Sequence, residues 1–299
     1  SGADPGYRPC GTLLAARDAD AAAALERDLA FRESLGLAVE RLLPSRAREL
    51  EPALAPTVRA AAAAPDDHAV DPRRTLAALA AALRAAGAEV REGAEVAELD
   101  TSAGRVTGVR LAGGERLPAA AVVLAPGAWA GGLAGVPEDA RVPVRPVKGQ
   151  LLRLRDPAGP GLLERVLRTE DFYVVPRGDG GYVLGATMEE RGFDEAVTAG
   201  ALHDLLRDAV EVLPGITELE LEAAGAGLRP GTPDNAPAIG PSGLDGLHWA
   251  VGHYRHGVLL APLTADLVVD GVTGAAPRAD AALLAPGRFG SGAPMEVPA

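Results

Sequence analysis

Apolar positions recur at helical spacing in some stretches of the chain and at strand spacing in others, and the two periods assign most of its elements. Residues 12–16 form an apolar run that reads as a strand. Behind it, Asp18 or Asp20 can cap a helix with Leu25, Leu29 and the Arg32 stem on one face, and Gly36 stops it. A short helical piece starts at Ser45 and ends at Pro52. Asp71-Pro72 is a strong helix start, a carboxylate cap followed by proline at the first helical position. Leu76, Leu79 and Leu83 then keep helical spacing as far as Gly87, and residues 88–90 read as a short strand beyond the turn.

At residue 95 the period changes to that of strands. Segments 95–100, 105–111 and 120–125, separated by a Ser-Ala-Gly turn and by Gly113-Gly114, predict a three-stranded meander. Its last strand is apolar throughout, as expected where both faces are covered, and it ends at Pro126-Gly127-Ala128-Trp129. Segments 144–155, 172–176 and 182–187 alternate like antiparallel strands, and residues 198–212 predict a helix. A last strand, 247–251, enters Gly252-His253-Tyr254-Arg255-His256-Gly257. A helix carrying Val258, Leu259, Leu263 and Leu267 follows it, and a disordered tail is expected over 284–299.

Composition narrows the function classes. Acidic residues number 41 against 29 basic ones, a formal net charge of -12 over 299 residues, which opposes attraction to nucleic acid or to anionic membranes. The single cysteine, Cys10, leaves no intramolecular disulfide, and the expected compartment is a reducing cytoplasm. No apolar run is long enough for a membrane span. Lys148 is the only lysine among those 29 basic residues; this is read as a compositional bias without functional weight.

Strong catalytic signatures are missing: there is no GxSxG, HExxH, GxxxxGK[ST] or EF-hand loop. His253 and His256 lie close together but without the cysteine or carboxylate company a metal needs. The near miss at Gly225-Ala226-Gly227 fails as a dinucleotide fingerprint because Pro230 takes the final glycine position.

Longer stretches, read together, carry a resemblance. Phe172-Tyr173-Val174-Val175-Pro176-Arg177, Leu184-Gly185-Ala186-Thr187-Met188, Gly227-Leu228-Arg229-Pro230-Gly231-Thr232-Pro233-Asp234 and Gly252-His253-Tyr254-Arg255-His256-Gly257-Val258 occur in that order. Together with Asp71-Pro72-Arg73, the turn at 125–130 and Val147-Lys148-Gly149-Gln150, they resemble the glycine oxidase branch of the D-amino-acid oxidase family, the branch that serves thiamine biosynthesis. The resemblance implies a mixed α/β fold: a Rossmann-like FAD-binding domain over 71–145 and 233–283, and an antiparallel-sheet substrate domain over 1–70 and 146–232. It implies FAD as cofactor, glycine or a similar small amino acid as substrate, oxygen as acceptor and a homo-oligomeric state. A sarcosine oxidase-like enzyme, an oxidase of other D-amino acids and a non-catalytic binding remnant stand as alternatives. Compared with the family, the chain opens at a point already inside the substrate domain. The reading therefore expects the first βαβ unit, with its glycine fingerprint, to be absent, and FAD to be held weakly or not at all.

The same resemblance assigns the site residues. Arg229, read alone a solvated charge on a turn, becomes the two-pronged clamp for a substrate carboxylate. Tyr173, which alone suits core packing equally well, becomes a hydroxyl donor to that carboxylate, Arg255 a neighbour of the substrate side of the flavin, and Met188 a cap on the pocket. Val96, His253 and Gly127 are placed against the cofactor, Val96 by its backbone near adenine and Gly127 near the ribose or pyrophosphate. Gly252 and Gly257 let backbone pass close to a flat ring, and the helix at Gly257-Val258 aims its positive end at it. Lys148 is either a solvated edge lysine or a polar neighbour of the flavin pocket.

Overall fold

The computed structural model describes residues 2–276, 278 and 281–290. They divide into two compact units, the first comprising residues up to Val90, Gly149–Met188 and Glu195–Gly227, the second Arg91–Lys148, Glu189–Asp194 and residues from Leu228 onward. The helix that begins at Pro72 falls in the first unit, whose opening segment extends to Val90.

The first unit is built on a mixed sheet. Across it the strands run Glu220–Gly231, Arg145–Arg155, Gly181–Gly185, Tyr173–Pro176, Val166–Arg168, Thr12–Ala16, Ala60–Ala64 and Glu40–Leu42. Val166–Arg168 lies parallel to Thr12–Ala16 and antiparallel to Tyr173–Pro176. The strands Arg145–Arg155 and Glu220–Gly231 continue along the chain into residues of the second unit. Side chains alternate between the two faces. On one face Leu13, Ala61, Leu152, Leu167, Val174 and Leu184 are buried in a common core with Ala47 of one helix and Leu205, Ala209 and Val212 of another. The other face receives Leu29 against Leu14 and Ala62.

The helices of this unit start where the sequence places them. Helix α1 (Ala19–Ser34) is capped by Asp18, which accepts from the Ala21 N–H, and α2 (Pro44–Leu50) begins on its proline. Helix α3 (Pro72–Ala85) is capped by Asp71, which accepts from the Arg73 and Arg74 N–H groups, and α4 (Ala199–Val212) by Thr198. Leu76, Leu79 and Leu83 form the expected stripe on α3, yet all three are exposed.

The second unit contains two three-stranded sheets. One is the antiparallel meander Val96–Ser102, Arg105–Leu111 and Arg116–Pro118. The other orders Ala238–Pro241, Leu247–Val251 and Val122–Leu124, the last two parallel. Trp249, fully buried, donates its indole N–H to the Ala140 carbonyl at 2.9 Å and packs with Leu99, Val106, Leu124 and Leu247. Helix α5 (Gly257–Thr273) follows Leu247–Val251.

Several expectations are corrected. The third meander strand is Arg116–Pro118, and the apolar run at 122–124 instead pairs in parallel with Leu247–Val251. Its continuous hydrophobicity belongs to a parallel strand, but it lies at the sheet edge and Val123 is 40% exposed, so only part of it is covered. Residues 88–90 form no strand. Arg229 is not on a turn; it belongs to the long strand Glu220–Gly231. Within the expected tail, Pro286–Phe289 form a 3-10 turn, with Phe289 packed against the second unit's core and Arg288 paired to Asp234 at 2.9 Å; residues 291–299 lie outside the described ones.

Candidate functional site

The site residues named from the sequence fall into both units. Tyr173 and Met188 belong to the first; Val96, Gly127, Arg229, Gly252, His253, Arg255, Gly257 and Val258 belong to the second.

In the first unit, Tyr173 sits opposite Gly185 in antiparallel register. Its ring lies flat across that glycine: a Cβ at 185 would stand 2.6 Å from the phenolic oxygen. Glycine is therefore what lets the ring lie there. The hydroxyl makes no hydrogen bond with a described residue, which leaves its donor available. Met188 stands at the end of the same stretch and is 66% exposed.

In the second unit the cluster around Arg229 is tied together by a residue for which the sequence left two readings open. One terminal nitrogen of Arg229 donates to the Lys148 carbonyl at 3.2 Å. Lys148 is no solvated edge lysine. Its side chain is completely buried, and its ammonium donates to Asp194 at 2.8 Å. Backbone bonds in both directions between Lys148 and Glu189 hold the segment 189–194 against that strand, and the Phe193 ring stacks on Trp129 at 6.2 Å. The signal was present in the sequence. A chain that uses arginine almost everywhere keeps one lysine, at a position where a compact ammonium is enclosed.

The turn that follows Leu247–Val251 has its own construction. Gly252 adopts φ +83°, and a Cβ there would meet the Thr232 methyl at 2.4 Å. Tyr254 also has positive φ, with the Arg255 guanidinium 5.4 Å from its ring centre. His253 Nε2 lies 2.8 Å from the Thr264 hydroxyl, which itself donates to the Leu260 carbonyl. With the hydroxyl proton directed to the Leu260 carbonyl, Nε2 serves as the donor to the Thr264 oxygen. Burial pushes the His253 pKa down, in keeping with a neutral ring.

Helix α5 then opens with Gly257 and Val258 exposed and no side chain capping its first turn. An uncapped helix start presents N–H donors and partial positive charge. Gly127, at φ +59°, opens the 3-10 turn Gly127–Gly132 beyond the strand Val122–Leu124, with no atom within 4 Å of where a Cβ would stand. An open glycine turn and an uncapped helix start in one unit are a donor set that suits the phosphates and ring carbonyls of a dinucleotide flavin. Among the described residues no group of His, Cys, Asp and Glu could hold a metal ion, and no helix is long and apolar enough to cross a membrane.

The fold is of mixed α/β build, and comparison with known proteins gives its family. Residues 1–271 match the family described as FAD dependent oxidoreductase, and the chain belongs to it. It is 40% identical over 222 residues to the glycine oxidase of Pseudomonas putida, covering 74% of this chain and 60% of that protein. It is 36% identical over 273 residues to the bifunctional protein ThiO/ThiG of Synechocystis sp., covering 90% of this chain and 39% of that protein. The crystal structure of glycine oxidase from Geobacillus kaustophilus superposes with a TM-score of 0.88 at 34% identity, covering 95% of this chain and 76% of that one. The chain thus spans about two fifths to three fifths of the length of the first two relatives.

Proposed function

We propose that the whole protein oxidises glycine, or an amino acid of similar size, to its imine with oxygen as acceptor, and that it serves thiamine biosynthesis. The amino acid loses two electrons and two protons, and oxygen takes them up as hydrogen peroxide. The observation that carries the reading is Arg229, a half-buried guanidinium braced through one nitrogen by the carbonyl of a fully enclosed lysine. A carboxylate bound to a braced guanidinium is fixed in orientation, and a substrate as small as glycine offers little else to hold. The likeness to glycine oxidases supports the choice of substrate.

When bound, FAD would supply the two-electron acceptor that this oxidation needs. Gly127, Gly252, His253, Gly257 and Val258, with the backbone of Val96, are the residues proposed to hold it. The uncapped start of α5 would favour negative charge on a group held there. Tyr173 keeps the donor role given by the resemblance, in line with its unpartnered hydroxyl, and Arg255 and Met188 keep their places on the substrate side.

The test uses the whole protein loaded with FAD. Glycine added without oxygen bleaches the flavin absorbance, and readmitted oxygen yields one hydrogen peroxide per glycine consumed. Arg229→Ala raises the glycine KM at least tenfold; an unchanged KM refutes the assignment. Sarcosine and D-alanine, run beside glycine, decide among the substrates.

A further inference from the structure

The first unit carries a second concentration of charge that the proposed reaction does not use. At the end of the sheet where Arg153 lies opposite Val183, and Arg155 opposite Gly181, a cleft of about 370 Å³ opens. The start of α3 and the segment 4–8 complete it. Arg8, Arg73, Arg74, Arg153, Arg155 and Arg177 line it, against the carboxylates of Asp4, Asp71, Asp179 and Glu222. Six positive charges against four negative ones leave a surplus of two, in a chain whose formal net charge is -12.

The carboxylates are largely committed. Asp4 takes Arg74, and Glu222 takes Arg155 at 2.6 Å. Asp71 spends one oxygen on the N–H groups of Arg73 and Arg74, and its other oxygen stays 3.8 Å from Arg177. Arg177 donates to the Val70 carbonyl, but its Nε, like that of Arg8, is buried without a hydrogen-bond partner. The side chains of Arg153 and Arg73 make no hydrogen bond or ion pair with any described residue. Burial pushes the Arg177 pKa down, Asp71 opposes that shift and the neighbouring charge of Arg153 adds to it. Like charges held together in a partly desolvated cleft with unused donors are costly unless an anion joins them.

We propose that this cleft binds a phosphate group. The surplus of two charges matches a dianion, guanidinium forks match its oxygens, and the volume leaves room for a small organic body attached to it. The site is independent of the oxidase reading, since its readout is binding alone.

The experiment titrates the whole protein loaded with FAD with inorganic phosphate, and separately with glycerol 3-phosphate, at constant ionic strength set with sodium chloride. Heat of binding and Tm are both followed. The expected result is saturable binding with a rise in Tm, weakened about tenfold or more in Arg153→Gln, and unchanged in Arg27→Gln, which alters an exposed arginine on α1. Arg73→Gln provides a second, exposed position should the Arg153 variant fold poorly. Tighter binding of the ester assigns the site to a phosphorylated metabolite, and equal or tighter binding of the inorganic ion assigns it to free phosphate. A Tm that responds no more to phosphate than to chloride overturns the proposal. So does an equal loss of affinity in Arg27→Gln, or full affinity in both cleft variants.

Discussion

The pair formed by Lys148 and Asp194 makes an asymmetric prediction. Lys148 is completely enclosed, whereas the Asp194 side chain is 47% exposed. Removing the carboxylate with Asp194→Ala strands a buried ammonium, and breaking a buried pair in this way costs about 3–5 kcal/mol. Water can reach the vacated side, so the lower end, about 3 kcal/mol, is expected. Lys148→Met preserves volume, leaves no charge inside and lets Asp194 rehydrate, so its cost should stay within roughly 1 kcal/mol. Urea unfolding followed by tryptophan fluorescence measures both, since Trp249 lies in the core of the same unit. If Lys148→Met proves the more damaging change, the reasoning fails.

Burial pushes the pKa values of His248 and His253 down. The unfolded chain then takes up protons near pH 6.5 that the folded chain refuses, so stability is full above that pH and declines below it; denaturation midpoints should fall from pH 7 to pH 5, less steeply in His248→Gln. Gly127→Ala and Gly252→Ala both force a side chain into the left-handed region, at about 1–2 kcal/mol, but Gly252→Ala also drives its Cβ into Thr232 and should cost roughly 1–3 kcal/mol more; equal costs by calorimetry would contradict the packing. Gly185→Ala should displace the Tyr173 ring, and in the whole enzyme raise the KM for glycine as Tyr173→Phe does; a parent-like KM in both variants would remove Tyr173 from the substrate.

Local signals in this chain were strong where caps and prolines mark helix starts. Asp18, Asp71 and Thr198 each accept backbone N–H bonds at the heads of their helices, because a short polar side chain at that position satisfies donors nothing else reaches. Strand partners were less legible. The run at 122–124 and the short strand Arg116–Pro118 both follow a glycine turn, and only the tertiary arrangement decides which of them joins the meander. At the candidate site, the family-like segments drew attention to Arg229 and the turn at 252–257. Lys148 was noticed but its enclosure was not, and Asp194 and Thr264 stayed hidden, since burial and pairing across 46 positions of chain leave no periodic trace. The Arg153 and Arg177 cleft was equally invisible, for it is assembled from separate strands and the head of α3.

The enclosure of the only lysine also changes what the folded surface offers to chemistry. With Lys148 wholly out of solvent, amine-directed acylation, cross-linking or isopeptide tagging finds no lysine target among the folded residues of this chain. Modification of that one residue, or a cut by a lysine-specific protease, requires its strand to leave the core. Either event therefore reports openings of the strand that carries Lys148.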